Sequence, residues 1–172
     1  KAIHDVTKDQ EEVDVSVMYS VNEALYCGLR GNKKVQLNSE WIQAVKDRMQ
    51  ELVEQDITIE KETRNTDEVV KMFAKSHMKD KEELFQYRRV SKANLYYIED
   101  FYDYFYGYMV PSTGYIDTFD LFLYEDGFML QLPMKKSKGS LEAFKPQKRL
   151  FQALKQSEQW GDKLGIGTVG SL

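Results

Sequence analysis

Aromatic side chains dominate residues 102–132, which read YDYFYGYMVPSTGYIDTFDLFLYEDGFMLQL. Pro111 restricts φ and Gly114 can adopt a positive φ, so a sharp corner is predicted between them. Alternating polar and apolar residues on both sides of Glu125-Asp126-Gly127 predict two antiparallel strands joined by a hairpin turn. We therefore expect a loop that presents side chains, held by a two-stranded ribbon behind it.

The composition is that of a globular protein. With 172 residues, of which 42% are hydrophobic and 30% charged, the chain is long enough for one domain with a substantial core. It has no run of 18 apolar residues and no signal-peptide pattern, so we expect no membrane insertion. Cys27 is the single cysteine, which excludes an internal disulfide and suits a reducing cytoplasm. The net charge of −4 weighs against strong binding of nucleic acid through its phosphates.

The two ends predict that this chain is part of a longer polypeptide. Residues 1–8 are helical in character but lack a capping residue, so we expect the last turns of a truncated helix. Residues 161–172 are rich in glycine and have the composition of a linker. We therefore expect a single domain over residues 1–172 that was cut from a longer chain.

The remaining pattern predicts an α+β fold with an antiparallel sheet packed against helices. Residues 12–18 and 24–30 alternate as a strand pair, and Asn38 or Ser39 can cap the longest helix. Further strands are expected at 57–60, 92–98, 116–121 and 128–132. Further helices are expected after a cap at Asn65 or Thr66, at 81–87 and at 148–160, and residues 133–147 are expected to form a loop or crossover. The apolar residues expected to face inward include Val17, Leu84, Leu150 and Trp160.

Three patterns that suggest chemistry have simpler explanations. Residues 165–170 match G-x-G-x-x-G, but a helix precedes them and no acidic residue follows, so a helix end and linker are expected. His4 and His77 fall in separate helices and Cys27 has no evident partner, so we expect no metal site. Because Cys27 lies in an alternating strand, we interpret it as a buried small side chain, not as a nucleophile.

Tyrosine is concentrated in one part of the chain. Nine of the eleven tyrosines lie between Tyr87 and Tyr124. Their rings could stack on a base or hydrogen-bond a small polar ligand, or they could pack a sheet with their hydroxyls at its wet rim. Packing explains most of them, and it explains the loop residues least well: Tyr108, Ser112, Thr113 and Tyr115. We interpret the acidic residues nearby as helix caps and solvated positions: Glu99, Asp100, Asp103, Asp117 and Asp120.

These motifs resemble a known family. The segment Asn38–Met49, the helix start at Thr66-Asp67-Glu68 and the stretch 102–132 are similar to the second N-terminal domain of threonyl-tRNA synthetases. The chain more closely resembles the corresponding domain of bacterial multidomain uridine (nucleoside) kinases, in which a TGS domain and this domain precede a P-loop kinase. The motifs that carry this likeness are Leu25-Tyr-Cys27, Tyr102–Tyr115, Asp126–Leu130, Lys148-Arg-Leu-Phe151 and Trp160–Gly170.

The departures from that family bear on chemistry. The synthetase domain has a reactive Cys and a His four residues apart in the loop before its Val-Pro, and those positions correspond to Phe105 and Met109. Neither side chain can activate water, transfer a proton or bind zinc as a hard ligand, so the resemblance implies an editing-like scaffold without deacylase activity. The kinase's phosphate-binding loop is also absent from the 172 residues, so ATP and Mg are expected only in the parent kinase domain.

The resemblance therefore implies a non-catalytic accessory domain of a uridine-kinase-like protein. We expect it to bind a small ligand or an RNA end, or to dock on its own kinase and TGS domains. The expected contact residues are Tyr104, Phe105, Tyr108, Met109, Ser112, Thr113 and Tyr115. The alternative is tRNA binding or hydrolysis of mischarged tRNA, for which a basic cluster is available at Lys135, Lys136, Lys138, Lys145, Lys148 and Arg149.

Overall fold

The computed structural model describes residues 1–7, 13–31, 35–76, 78–133 and 139–165. It divides into two compact units. The first unit comprises Lys1–Lys8 and Asp47–Asp117, and the second comprises Asp9–Lys46 and Thr118–Leu172. The expectation of a single domain over the whole chain stays a prediction.

The elements alternate between helices and antiparallel strands. The helices are α1 (Ala2–Val6), α2 (Ser39–Glu54), α3 (Thr66–Lys75), α4 (Lys79–Gln86) and α5 (Lys148–Lys163). The strands are β1 (Val13–Val21), β2 (Ala24–Gly31), β3 (Glu60–Asn65), β4 (Lys92–Ile98), β5 (Phe101–Tyr104), β6 (Asp120–Tyr124) and β7 (Gly127–Gln131). A 3-10 turn covers Thr113–Tyr115. The predicted class is confirmed at this level: mixed α and β, with antiparallel sheets packed with helices.

The second unit is a four-stranded sheet in the order β1-β2-β7-β6. All three pairings are antiparallel, and β2 aligns Tyr26 with Met129 of β7. Phe151 of α5 packs on this part of the sheet, in a cluster with Val21 and Met129. The core forms here because alternate strand residues share one face and the apolar stripe of α5 covers that face.

The opposite face of this sheet meets the beginning of α2. The Trp41 and Phe128 rings lie 6.0 Å apart in an edge-on arrangement. The predicted cap is confirmed, because the backbone N–H of Trp41 donates to the side-chain oxygen of Asn38 at 2.8 Å. Lys46 pairs with Asp120 at 2.6 Å, which adds a polar contact at the sheet edge.

The first unit is a three-stranded antiparallel sheet in the order β3-β4-β5. Helices α3 and α4 pack on one face through Phe73 and Phe85, which are fully buried together with Leu95. On the opposite face, the His4 ring of α1 lies 5.4 Å from the Phe101 ring. The chain that follows β5 also packs on this face, and it carries most of the predicted contact residues.

Several local expectations are wrong, each because packing overrides the sequence pattern. Val17 is exposed because a bulge between Val17 and Tyr19 shifts the register of β1. Leu84, Leu150 and Trp160 are also exposed, so their helices bury narrower stripes than predicted. Residues 116–119 form no strand, and the edge strand β3 covers polar residues 60–65, not 57–60.

The C-terminal boundary also differs from expectation. Helix α5 continues through Gly161 to Lys163, so the predicted linker cannot begin near residue 161. Gly165 has φ +70°, as expected for a residue beyond a helix end. The remaining linker, residues 166–172, lies outside the described residues, as does the predicted position of His77. Within the part of the chain that the structure describes, no helix combines the length and apolar composition needed to cross a bilayer.

Candidate functional site

The aromatic loop, residues 105–116, follows β5 and presents tyrosine rings to solvent. Tyr106, Tyr108 and Tyr115 are 84%, 90% and 66% exposed. Phe105, Met109, Val110 and Ile116 are partly exposed beside them. An aromatic group this exposed forms a surface on which a ligand or partner can stack.

The first half of the loop is held on strand β4. The Tyr96 hydroxyl donates to the carbonyl oxygen of Gly107 at 2.5 Å. The Phe105 ring stands edge-on to the Tyr96 ring at 6.5 Å. Gly107 has φ +141°, a conformation that residues with a side chain rarely adopt. These contacts fix the backbone while leaving the neighbouring Tyr106 in solvent.

The second half of the loop pairs with the segment that follows α2. The backbone N–H of Ile59 donates to the carbonyl of Pro111 at 2.8 Å, and the N–H of Thr113 donates to the carbonyl of Ile57 at 2.9 Å. The pairing is antiparallel, with a bridge between Thr58 and Ser112. The predicted strand around Ile57 and Ile59 is therefore reduced to this short pairing.

Thr113 is an anchor of the loop and does not line an open site. It is 3% exposed, and its hydroxyl donates to the carbonyl of Leu52, near the end of α2. The same hydroxyl accepts the N–H of Ile57 at 2.8 Å. Thr113 is therefore buried with its hydroxyl already bonded as donor and acceptor, and its expected contact with a ligand stays a prediction.

Ser112 and Gly114 share one partner, Asp56. The Ser112 hydroxyl donates to Asp56 Oδ1 at 2.5 Å, and the Gly114 N–H donates to the same oxygen at 3.1 Å. Gly114 does not take the positive φ that glycine allows. Glycine is required there for space, because a Cβ would lie 2.8 Å from Asp56 Cγ. Ser112 is thus engaged in holding the loop.

Tyr104 belongs to the core of the first unit. Its ring stands edge-on to Phe85 at 4.8 Å. Its hydroxyl accepts a hydrogen bond from the Arg88 guanidinium, which also lies 5.0 Å from the ring centre. This residue therefore packs the sheet, as the simpler interpretation of the tyrosines predicted.

Lys61 of β3 is a neighbour of the loop that the sequence did not indicate. Its ammonium group lies 5.3 Å from the centre of the Tyr108 ring. Such an arrangement is attractive because the face of an aromatic ring is negative. It places one positive charge beside the most exposed tyrosine.

The sequence also gave little indication of a polar cleft in the first unit. It has a volume of about 640 Å³, and its lining includes Lys1, Asp5, Arg48, Glu99 and Asp100. Three carboxylates lie near the Lys1 ammonium: Glu99 at 3.1 Å, Asp5 at 3.2 Å and Asp100 at 2.5 Å. The sequence offered one signal, the i,i+4 spacing of Lys1 and Asp5.

The charges in this cleft stabilise one another. Burial by itself would raise the pKa of Asp5, but hydrogen bonds from Arg48 and Lys1 hold that pKa below its usual value. Burial opposes the charged form of Lys1, yet its hydrogen bonds to Asp100, Glu99 and Asp5 raise the pKa of the ammonium. The cleft is therefore lined by ion pairs that stabilise one another's charged forms.

The predicted burial of Cys27 is confirmed. Cys27 is buried in β2, and burial raises the pKa of its thiol to about 11, so the thiolate is scarce at neutral pH. His4 lies 3.5 Å from the Asp5 carboxylate through Nδ1. Among the described residues, no group of three or more His, Cys, Asp or Glu side chains is placed to hold a metal ion.

No protein-family model matches the chain. No curated protein matches it either.

Proposed function

We propose that this chain is a non-catalytic recognition domain of a uridine-kinase-like protein and that it binds through the aromatic loop. The observation that carries the proposal is the exposure of Tyr106, Tyr108 and Tyr115 on a loop whose backbone is hydrogen-bonded at both halves. Ordered loops that expose aromatic rings bind with little loss of conformational entropy. The resemblance of the stretch Tyr102–Tyr115 to the accessory domain of bacterial uridine kinases supports the assignment.

The finer fold in this proposal is that of a threonyl-tRNA synthetase editing domain. Phe105 and Met109 occupy the positions where that domain has its reactive Cys and His, and both are partly exposed apolar side chains. They would form an apolar part of the contact surface instead of activating water. Recognition without turnover follows from this replacement.

The proposal also specifies the binding partners and the cellular location. The parent protein would phosphorylate a nucleoside with ATP and Mg in a separate kinase domain. The aromatic loop would bind a small ligand or an RNA end, or dock on the kinase or TGS domain of the same protein. Cytoplasmic location follows from the resemblance and from the buried, unpaired thiol of Cys27.

Binding is tested with the purified chain, uridine and a fluorescently labelled single-stranded RNA that ends in CCA. Loss of a stacking ring costs about 1–3 kcal/mol, so Tyr108→Ala should weaken binding by roughly 5-fold to 150-fold. Tyr87→Ala is the matched control, because Tyr87 is an exposed tyrosine of the same unit that lies outside the loop. Equal effects of the two substitutions would contradict the proposal. If neither probe binds, binding of uridine and of an RNA end is ruled out, and docking on the kinase or TGS domain is the part of the proposal that is left.

Catalysis is tested separately. The purified chain should show no ATP-dependent phosphorylation of uridine and no hydrolysis of mischarged tRNA. Turnover of either substrate that survives purification, and that a substitution in this chain abolishes, would show that the domain is an enzyme.

A second candidate function is tRNA binding through the basic segment at the start of α5. Lys148 and Arg149 are exposed in the first turn of α5, and that turn contains no acidic residue. A helix N-terminus flanked by cations attracts phosphates. Lys135, Lys136 and Lys138 lie outside the described residues. Replacing Lys148 and Arg149 with Glu should then weaken RNA binding and lower its salt dependence, while Tyr108→Ala should not.

A further inference from the structure

We propose that Asp56 is the positioning residue of the aromatic loop: its carboxylate holds the loop in the conformation that exposes the tyrosines. The functional part of this inference rests on the proposed role of the loop. Asp56 lies 48 residues before Tyr104 in the sequence and is not among the residues that the aromatic pattern indicates.

The backbone delivers Asp56 to this place at the end of α2. The N–H of Gln55 donates to the carbonyl of Glu51 at 2.9 Å, and the N–H of Asp56 donates to the carbonyl of Val53 at 3.1 Å. Asp56 has φ +48°, a left-handed conformation that Asp and Asn adopt more readily than other residues with a side chain. The turn directs its carboxylate toward the 3-10 turn of the loop.

One carboxylate oxygen then receives two donors from the loop. The Ser112 hydroxyl and the Gly114 N–H both donate to Asp56 Oδ1, on either side of the buried Thr113. Hydrogen bonds to a charged acceptor are stronger than those between neutral groups. The loop therefore cannot move away from α2 without losing both bonds at once.

Gly114 is part of the same hydrogen-bonded arrangement. A Cβ at this position would occupy the space of the Asp56 carboxylate, at 2.8 Å from Cγ and 3.2 Å from Cβ. Gly114→Ala would therefore displace the carboxylate and break its bonds. Removal of either partner has the same physical consequence, so the effects of the two changes should not add.

The consequence for binding is pre-organisation. A loop held in one conformation loses little conformational entropy when a partner docks on its rings. Asp56→Ala should then weaken binding although Asp56 itself need not touch the partner. Asp56→Asn should retain function, because the amide oxygen still accepts both hydrogen bonds and Asn tolerates the positive φ.

The test is amide hydrogen exchange of the whole chain, followed by mass spectrometry of the peptide that covers residues 105–116. Asp56→Ala should speed exchange in this peptide about tenfold or more, since local opening becomes easier. Asp56→Asn should restore slow exchange. Asp117→Ala is the charge-matched control at the other end of the loop and should change nothing. Asp56→Gly, which relaxes the backbone and also removes the carboxylate, separates loss of the carboxylate from strain.

The double variant Asp56→Ala/Gly114→Ala should exchange no faster than either single variant. Unchanged exchange in both Asp56→Ala and Asp56→Gly, or additive effects in the double variant, would overturn the inference. This readout needs no ligand, so it can fail independently of the proposed function. Tyr108-dependent binding of RNA or uridine, together with unchanged exchange in Asp56→Ala, would contradict this inference and leave the proposed function standing. Fast exchange in Asp56→Ala without any binding would contradict the proposed function and leave this inference standing.

Discussion

Tyrosines occupy two contrasting environments in this protein. In the second unit, Tyr26 is buried, and Tyr19 and Tyr124 are packed around Phe151 at ring distances of 5.7 and 5.0 Å. In the first unit, Tyr106 and Tyr108 are almost fully exposed. The same residue type therefore stabilises a core in one place and projects into solvent in the other.

The difference arises from what covers each ring. Strand tyrosines of the second unit lie beneath α5, and burial raises the pKa of Tyr19 to about 12 and also raises that of Tyr26. The loop tyrosines follow a strand but are attached through backbone hydrogen bonds, which leave the side chains free to project. A ring is buried when a second element covers its face, not because it belongs to an aromatic residue.

The largest expected effect concerns the buried tyrosines of the second unit. Phe151 is 4% exposed and contacts three tyrosine rings, so Phe151→Ala should lower the free energy of unfolding by about 3–5 kcal/mol. Urea unfolding followed by tryptophan fluorescence measures this, because both tryptophans lie in the second unit. A loss below about 1 kcal/mol would mean that α5 does not cover these rings.

An intermediate effect tests how the loop is attached in the first unit. Thr113→Val removes a buried hydroxyl and leaves the Leu52 carbonyl and the Ile57 N–H without that partner, so stability should fall by about 1–3 kcal/mol. Thr63→Val is the control, because the Thr63 hydroxyl bonds Asn94 at an exposed position. Urea unfolding followed by far-UV circular dichroism should show a clear loss for the first change only. Equal losses would contradict the anchoring role.

A smaller effect concerns the pH dependence of stability and Asp126, which accepts a hydrogen bond from the buried Tyr26. A hydrogen bond from Lys155, and a second from Tyr26, hold the pKa of Asp126 below its usual value. Because the folded pKa is the lower one, this stabilisation is present above about pH 4 and is lost as the pH falls through the folded pKa. Asp126 is 65% exposed, so the loss should stay below about 1 kcal/mol.

The measurement compares urea midpoints at neutral pH and at about pH 3. Asp126→Asn should show a smaller decrease than the wild-type chain, because its side chain does not titrate. Glu125→Gln, which removes the adjacent carboxylate from the same turn, should behave like the wild-type chain. Identical pH dependence in all three proteins would show that the bonds to Asp126 do not contribute.

The smallest expected effect concerns an exposed tyrosine of the first unit. Tyr108→Ala should change the free energy of unfolding by less than about 0.5 kcal/mol, because the ring is 90% exposed and its described ring contact is the Lys61 ammonium. The same urea experiment, followed by circular dichroism, measures it. A loss comparable to that of Phe151→Ala would mean that the loop tyrosines are structural and would remove the support for a recognition surface.

Local sequence signals predicted most of the elements. Asn38 caps α2 because its side chain can replace a missing backbone acceptor, and this needs information from only a few neighbouring residues. The hairpin around Glu125-Asp126-Gly127 was also predicted, but the role of the glycine was not. Glu125 takes the positive φ of 52°, whereas Gly127 is needed because a side chain would collide with Cys27 and Tyr26 of the neighbouring strand.

The candidate site was predicted only in part. The aromatic pattern located the exposed loop, yet it did not separate Tyr104, which packs on Phe85, from Tyr108, which is free of the core. The sequence pattern left Ser112 and Thr113 available for a ligand. In the structure the Ser112 hydroxyl donates to Asp56, just after α2, and the Thr113 hydroxyl donates to the carbonyl of Leu52 in α2. These partners lie 56 and 61 residues away in the sequence, a separation that no short-range pattern encodes.

Composition and periodicity determined the antiparallel α+β class, the helix from Ser39 and the position of the aromatic loop, because each depends on contacts within one turn or one strand pair. Tertiary structure decided the exposure of Tyr108, the burial of Thr113 and the role of Asp56. Exposure is a property of what lies above a side chain, and a hydrogen bond requires two groups within about 3 Å, whatever their separation along the chain.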